Sequence, residues 1–179
     1  MMQSGGMAAP MLFNGHYYDF VSAPSAMTWN QANTAAQTSA YEGMTGHLVT
    51  LTSQQENDWL MTAFNNPVAA WMGGYQDTGA DDYSEPNGGW RWVTDEEWDY
   101  TNWQAGEPNN SGNGENNLAT AKAVVGDGDL YWNDRVNTTA QYLVEYEPED
   151  TAAVPEPATM VLFGSGLVGF AAGFKKKKF

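Results

Sequence analysis

Residues 106 to 117 read "GEPNNSGNGENN": two carboxylates, five amides and three glycines, with no side chain larger than Pro that could enter a core. The chain around it is dense in aromatics, with 8 Trp, 9 Tyr and 7 Phe in 179 residues. Such a stretch is either a solvated loop or a wrapping for something that takes oxygen donors. Glu107 and Asn109 flank Pro108, and a cis bond before that proline would turn the chain sharply enough to aim both side-chain oxygens at one point. Glu115 follows on the same Gly-rich loop, and Asn133 with Asp134 ends the strand-like "LYWND". Three carboxylates and two amide oxygens make a hard shell of the kind Ca²⁺ prefers, which takes about six to eight oxygens at about 2.3 to 2.6 Å. Mg²⁺ holds its waters and suits so many protein ligands less well. Spacing alone leaves the solvated loop open as a reading.

Charge and composition narrow the partners. The net charge is -15, and Lys175 to Lys178 supply four of the seven basic groups. Residues 1 to 154 therefore hold only Arg91, Lys122 and Arg135 against 21 of the 22 acids. A body so acidic is repelled by nucleic acid and by anionic lipid headgroups, which leaves cations, neutral molecules or basic surfaces as partners. There is no Cys, so disulfides and thiolate metal sites are excluded. Two histidines, His16 and His47, without an H-E-x-x-H motif, do not make a zinc hydrolase. His47 reads as a packed or capping residue.

Outward from the loop, hydrophobic periodicity predicts the scaffold. "HYYDFVS" (16–22) and "HLVTLTS" (47–53) read as strands. Residues 27 to 40 place Trp29, Ala32, Ala36 and Ala40 on one helical face, with Thr28 as cap. Ser53-x-x-Glu56 is a capping-box pattern that starts a second helix through Trp59 and Leu60 to about Phe64. Short strands follow at "AAWMGG", "GWRWV", "LATAKAVV", "DLYWND" and "QYLVEYE". Two early helices followed by short strands and long polar loops predict an α+β fold. Trp71, Trp90, Trp92 and Trp132 are expected in the core, Trp98, Tyr100 or Trp103 at the border of the site, and "DEEWD" (95–99) in a solvated turn.

This order, a helix opened by Trp29, "GHLVTLTS", a capped second helix, "WMGG", "GWRWV", "YTNWQAGEPNN", "GEN" and "WND", resembles the C-type lectin-like domain over residues 14 to 147. The resemblance implies two helices with short antiparallel sheets and long calcium-binding loops. It assigns Glu107, Asn109, Glu115, Asn133 and Asp134 as ligands of one Ca²⁺ that also holds sugar, with the carboxylates and amides accepting from and donating to vicinal hydroxyls. In the family, E-P-N accompanies mannose-, glucose- and N-acetylglucosamine-type sugars, so a glycan or matrix polysaccharide is the expected partner. The alternative is a structural or protein-binding surface protein whose calcium only braces the loops. A glycosidase is disfavoured, because carboxylates held on Ca²⁺ are poor proton donors. The sequence departs from the family in lacking disulfides, with Asn117 where Cys is usual, and in carrying Asn110 and Asn116 where an auxiliary site often has aspartates. Asp77 and Asp81 or Asp82 are candidates for that second site, and Glu85-Pro86-Asn87 reads as a decoy.

The ends carry a different message. Residues 148 to 157 are an acidic, Pro-rich linker; Ala158 to Phe174 is an uncharged apolar run, and "KKKKF" closes the chain. A helix over that run would reach about 26 Å, near the lower limit of a bilayer span. Pro-Glu-Pro at 155–157, the apolar run and the basic end together resemble the PEP-CTERM sorting signal. That resemblance implies export, recognition and cleavage by an exosortase, only transient membrane anchoring, and a place at the cell surface or in an extracellular matrix. The opening "MMQSGGMAAPMLF" lacks the charged and apolar regions of a signal peptide. Residues 1 to 13 are accordingly read as a leader remnant behind a truncated or misplaced start.

Overall fold

The computed structural model of the chain describes residues 9–121, 129–136 and 138–148. In chain order these form β1 (Met11–Phe13), β2 (His16–Met27), α1 (Trp29–Thr38), β3 (Ala40–Tyr41), β4 (Met44–Leu48), α2 (Gln54–Ala63), β5 (Ala70–Gln76), β6 (Trp90–Trp92), β7 (Asn117–Thr120), β8 (Trp132–Arg135) and β9 (Thr139–Tyr146). The fold is α+β, as expected. The chain divides into two units after Glu147. The predicted linker beyond Pro148, the apolar run and lysines, and the second half of "LATAKAVV", lie outside the described residues. Among the described residues, no helix is long and apolar enough to cross a membrane.

The last strand, β9, organises the sheet. It pairs antiparallel with β2 along one edge, from Tyr17 opposite Tyr146 to Ser22 opposite Gln141. Its other edge is shared. β4 takes the C-terminal end, with Gly46 opposite Tyr146 and Leu48 opposite Val144, and β5 takes the start, with Ala70 opposite Gln141. The β5–β9 pairing is parallel, so the sheet is mixed where the expectation is of short antiparallel sheets. A parallel contact needs a long crossover and cannot be read from local turn signals. Beyond β5 come β7 and β8, with β6 also on β5.

Both helices form where the periodicity places them. Thr28 caps α1, and Gln31 reaches back to the Thr28 backbone N–H, closing a capping box that the sequence reading did not identify. Trp29, Ala32 and Ala36 are buried on the inner face, while Ala40 lies beyond the helix in β3 and is exposed. Ser53 caps α2 by accepting from the Glu56 N–H. The Glu56 side chain does not complete the expected box: one oxygen accepts from the Thr52 N–H and the other lies 2.6 Å from the Tyr18 hydroxyl. "HLVTLTS" is only partly a strand, since β4 ends at Leu48. Leu48 and Val49 run against β5 instead, where a side chain on Gly73 would sit 2.6 Å from the Leu48 carbonyl oxygen. Trp71, Trp90, Trp92 and Trp132 are buried in the core, as the sequence predicts.

A buried polar chain ties β2, α2 and β9 together. The Tyr18 hydroxyl lies 2.6 Å from Glu56 and 3.0 Å from Glu145, and Glu145 also accepts from the Thr50 N–H and from His16. One hydroxyl proton cannot serve two carboxylates. Burial, reinforced by the nearby Glu145 charge, pushes Glu56 up to about 7, so the protonated Glu56 can donate to the Tyr18 oxygen while Tyr18 donates to Glu145. A carboxyl group with a raised folded-state pKa binds its proton more tightly when folded, so its contribution to stability is full below about 4.5 and declines as pH rises toward 7. Glu56→Gln mimics the protonated form. Thermal melts from pH 4.5 to 7.5 should show a shallower loss of stability in this variant than in the parent, and equal slopes would remove Glu56 as the titrating group.

Candidate functional site

The long segment from Val93 to Asn116 has almost no regular secondary structure, so it must be held by contacts other than a ladder. Those contacts centre on Trp132. Its backbone N–H donates to Asn102 O at 2.9 Å and its carbonyl accepts from the Gln104 N–H at 2.9 Å, while the Asn102 amide donates to Leu130 O. Its ring meets Trp92, Trp98, Tyr100 and Trp103 at centroid distances of 5.6, 5.8, 5.5 and 5.9 Å. Trp98, Tyr100 and Trp103 thus pack against the core cluster. The four acids of "DEEWD" are exposed, and its Trp98 is half-buried.

This clamp delivers E-P-N next to W-N-D. The Glu107–Pro108 bond is cis, and so is Glu85–Pro86. Asp134 is 1% exposed, and its two carboxylate oxygens accept from the backbone N–H groups of Asn109 and Asn110, the latter at 2.7 Å. Glu115 accepts from the Ser111 N–H at 2.7 Å, and the Asn110 side-chain oxygen accepts from the Gly114 and Glu115 N–H groups. Asn110 is therefore occupied in shaping the loop. Among the candidates for a second site, Asp77 accepts from the Gly79 N–H and Asp82 pairs with Arg91.

Glu107 stands apart from these satisfied groups. One of its carboxylate oxygens is buried without a hydrogen-bond partner, as is the Asn116 side-chain oxygen. Burial, a carboxyl-to-carboxyl contact with Asp134 and the charge of Glu115 push Glu107 up to about 7. Burial likewise raises Glu115, offset by the Ser111 N–H and by Arg135. The structure thus brings Glu107 and Asp134 together, with Glu115 in electrostatic range. Asn133 lies on β8 beside Asp134, and Asn109 is exposed on the loop. Among the described residues, the group of His and carboxylate ligand atoms lying within 4.8 Å of one another is a different one: His16, Glu145 and Glu147. The sequence reading missed it because its members are scattered along the chain.

Known proteins match the chain in two places. The Lectin C-type domain family matches residues 25–144, and the PEP-CTERM protein-sorting motif matches residues 153–177. Halomucin of Haloquadratum walsbyi is 34% identical over 148 residues, 75% of this chain and 1% of that protein. A perlucin-like protein of Mytilus galloprovincialis is 35% identical over 96 residues, 51% of this chain and 54% of the relative. The chain therefore spans at most about half the length of these relatives. A crystal structure of the cow C-type carbohydrate-recognition domain of CD23, in the presence of GlcNAc2Man3 oligosaccharide, aligns with a TM-score of 0.61 at 27% identity, covering 78% of this chain and 94% of that one.

Asp134→Ala should release the Asn109 and Asn110 N–H groups and leave them unpaired. Hydrogen bonds to a charged group contribute about 1.5 to 3 kcal/mol each. Denaturant unfolding should show a loss on the order of 2 kcal/mol or more, and a loss below about 0.5 kcal/mol would mean that Asp134 does not brace the loop.

Proposed function

Since the chain belongs to the C-type lectin domain family, we propose that it is a calcium-dependent carbohydrate-binding module of an exported protein, acting as a binding protein and not as an enzyme. Glu107, Asn109, Glu115, Asn133 and Asp134 would hold the ion. The observation that carries this reading is the orphaned, buried oxygen of Glu107 packed against Asp134. A carboxylate in that position needs a proton or a cation, and the donor set is hard oxygen of the kind Ca²⁺ takes. Bound Ca²⁺ supplies open coordination positions for two vicinal hydroxyls. The chain's own part is to orient them: carboxylates accept the hydroxyl protons, and the Asn109 and Asn133 amides donate to the hydroxyl oxygens. The E-P-N order supports mannose-, glucose- or N-acetylglucosamine-type ligands. The sorting motif supports release at the cell surface or into a matrix after exosortase cleavage, with membrane contact only before cleavage.

One observation favours the structural alternative. Asp134, Asn110 and Glu115 already brace the loop through its own backbone N–H groups, so the loop keeps a shape without sugar. Two measurements separate the readings. Millimolar Ca²⁺ should raise the melting temperature and EDTA should reverse the rise, because the ion binds the folded carboxylates; identical melts would remove the calcium site. The exchange Glu107→Gln with Asn109→Asp keeps the oxygen count and the net charge but swaps acceptor and donor. Calcium binding should largely survive, while binding to mannose-type glycans should fall about tenfold or more, one mismatched hydrogen bond costing about 1 to 3 kcal/mol. A parent protein that binds calcium but no glycan of these types, on an array read with and without EDTA, would leave the bracing role alone.

A further inference from the structure

We propose that His16, His47 and Glu147 form a second metal site, selective for a divalent transition ion such as Zn²⁺, at the C-terminal end of β9 and independent of the sugar loop. The sheet register builds it. β2 and β4 flank β9, with Tyr18 opposite Glu145 on one side and His47 opposite Glu145 on the other. One pleat further along this antiparallel ladder, His16 comes beside Glu147. Alternation along the strands puts His16, Tyr18, His47, Glu145 and Glu147 on one face. The chain has two histidines, and both reach the same carboxylate: His16 Nε2 lies 3.8 Å and His47 Nε2 3.4 Å from the two oxygens of Glu147.

The hydrogen bonds of the rings decide what those nitrogens offer. His16 Nδ1 lies 2.6 Å from Glu145 Oε1 and His47 Nδ1 lies 3.0 Å from Leu48 O. Both oxygens only accept here, so each Nδ1 carries the proton. In its neutral form each ring presents an Nε2 lone pair toward Glu147, and a lone pair facing a carboxylate is repulsive until a proton or a cation stands between them. The His47 Nε2 atom is buried and has no hydrogen-bond partner. Without metal, a proton competes for the place at His16, whose pKa is raised by its bond to Glu145 against the effect of burial.

The spacing suits a metal. Zn²⁺ bonds of about 2.0 to 2.1 Å in a tetrahedral site put neighbouring ligand atoms about 3.3 Å apart. The 3.4 Å contact already meets that edge, and His16 and Glu147, whose side chains are 37% and 39% exposed, have to swing inward to bring all three ligand atoms onto one ion. Ligand atoms of His16, Glu145 and Glu147 lie within 4.8 Å of one another. Glu145, held by Tyr18 and Thr50, occupies the outer position, where a carboxylate on the far ring nitrogen orients a metal-binding histidine. Two imidazoles and one carboxylate favour Zn²⁺, Ni²⁺ or Co²⁺ over Ca²⁺, which separates this site from the oxygen shell of Glu107. Such a metal would fasten β2 and β4 to the end of β9 in a chain with no disulfide.

The test uses the full chain without a polyhistidine tag, titrated with Zn²⁺ by calorimetry and with Co²⁺ by visible absorption at pH 7.5, alongside His47→Gln, Glu147→Gln and the Glu107→Gln/Asn109→Asp exchange. The parent should bind one equivalent, with affinity reduced about tenfold or more in His47→Gln and Glu147→Gln and unchanged in the loop exchange. Glu147 is half-exposed and lies outside the strand, so its variant stays informative should His47→Gln fail to fold. Absence of stoichiometric Zn²⁺ binding in the parent, or binding that survives in Glu147→Gln, overturns the proposal, and neither result bears on calcium or sugar binding.

Discussion

Trp132 is the residue through which the core reaches the loop. It is fully buried, its indole N–H donates to Asn57 on α2 at 3.1 Å, its backbone pairs with Asn102 and Gln104, and its ring gathers the aromatic residues of the irregular segment. The two residues that follow, Asn133 and Asp134, therefore leave the core at a fixed place. A long loop without a ladder or a disulfide loses much conformational entropy on ordering, and dispersion between large rings is the strongest sequence-available means of offsetting it. The tryptophan-rich composition thus serves the geometry of a polar loop that contains no tryptophan between Gly106 and Asn117.

What the sequence disclosed was whatever depends on neighbours along the chain. α1 could be read from Trp29, Ala32 and Ala36 because two turns of a helix span them, and the placement of Glu107 and Asn109 about Pro108 is similarly local. The parallel contact of β5 with β9 was not legible, since it joins residues 70 and 141, which no single local turn connects. Glu56 shows the same limit in one side chain. Its spacing from Ser53 suggested a capping partner, but the buried Tyr18 hydroxyl offered a stronger one, and tertiary contact overrode the local pattern. The pairing of Asp134 with the Asn109 and Asn110 backbone could be anticipated only as proximity, because nothing in the residue type says that a carboxylate will satisfy the loop's own N–H groups before it meets a ligand.

In the proposed site this double duty has a physical consequence for recognition. A carboxylate already oriented by two backbone N–H donors loses little freedom when it takes a further partner, so the cost of ordering falls on folding and not on binding. Glu107 is the complement: its unpaired oxygen and raised pKa mark a place where folding has left charge uncompensated. Strained electrostatics of this kind concentrate where a ligand is to be bound. The fold therefore sets a satisfied acid that fixes the loop beside an unsatisfied one, where the proposed cation would bind.

The same division recurs at the far end of the sheet. Glu145 is buried with donors from Tyr18, Thr50 and His16 around it, whereas Glu147, one pleat further on, is half-exposed and faced by imidazole nitrogens. Glu145 lies on β9 and Glu147 follows just past its end, and β9 is the strand to which β2, β4 and β5 are all attached. A chain without cysteine has to secure its central strand by other means, and here it does so first through a buried proton-sharing network that needs no ligand. Any ion held by Glu147 would act on a strand already fixed by Glu145, which is why such an ion can add stability without being required for the fold to form.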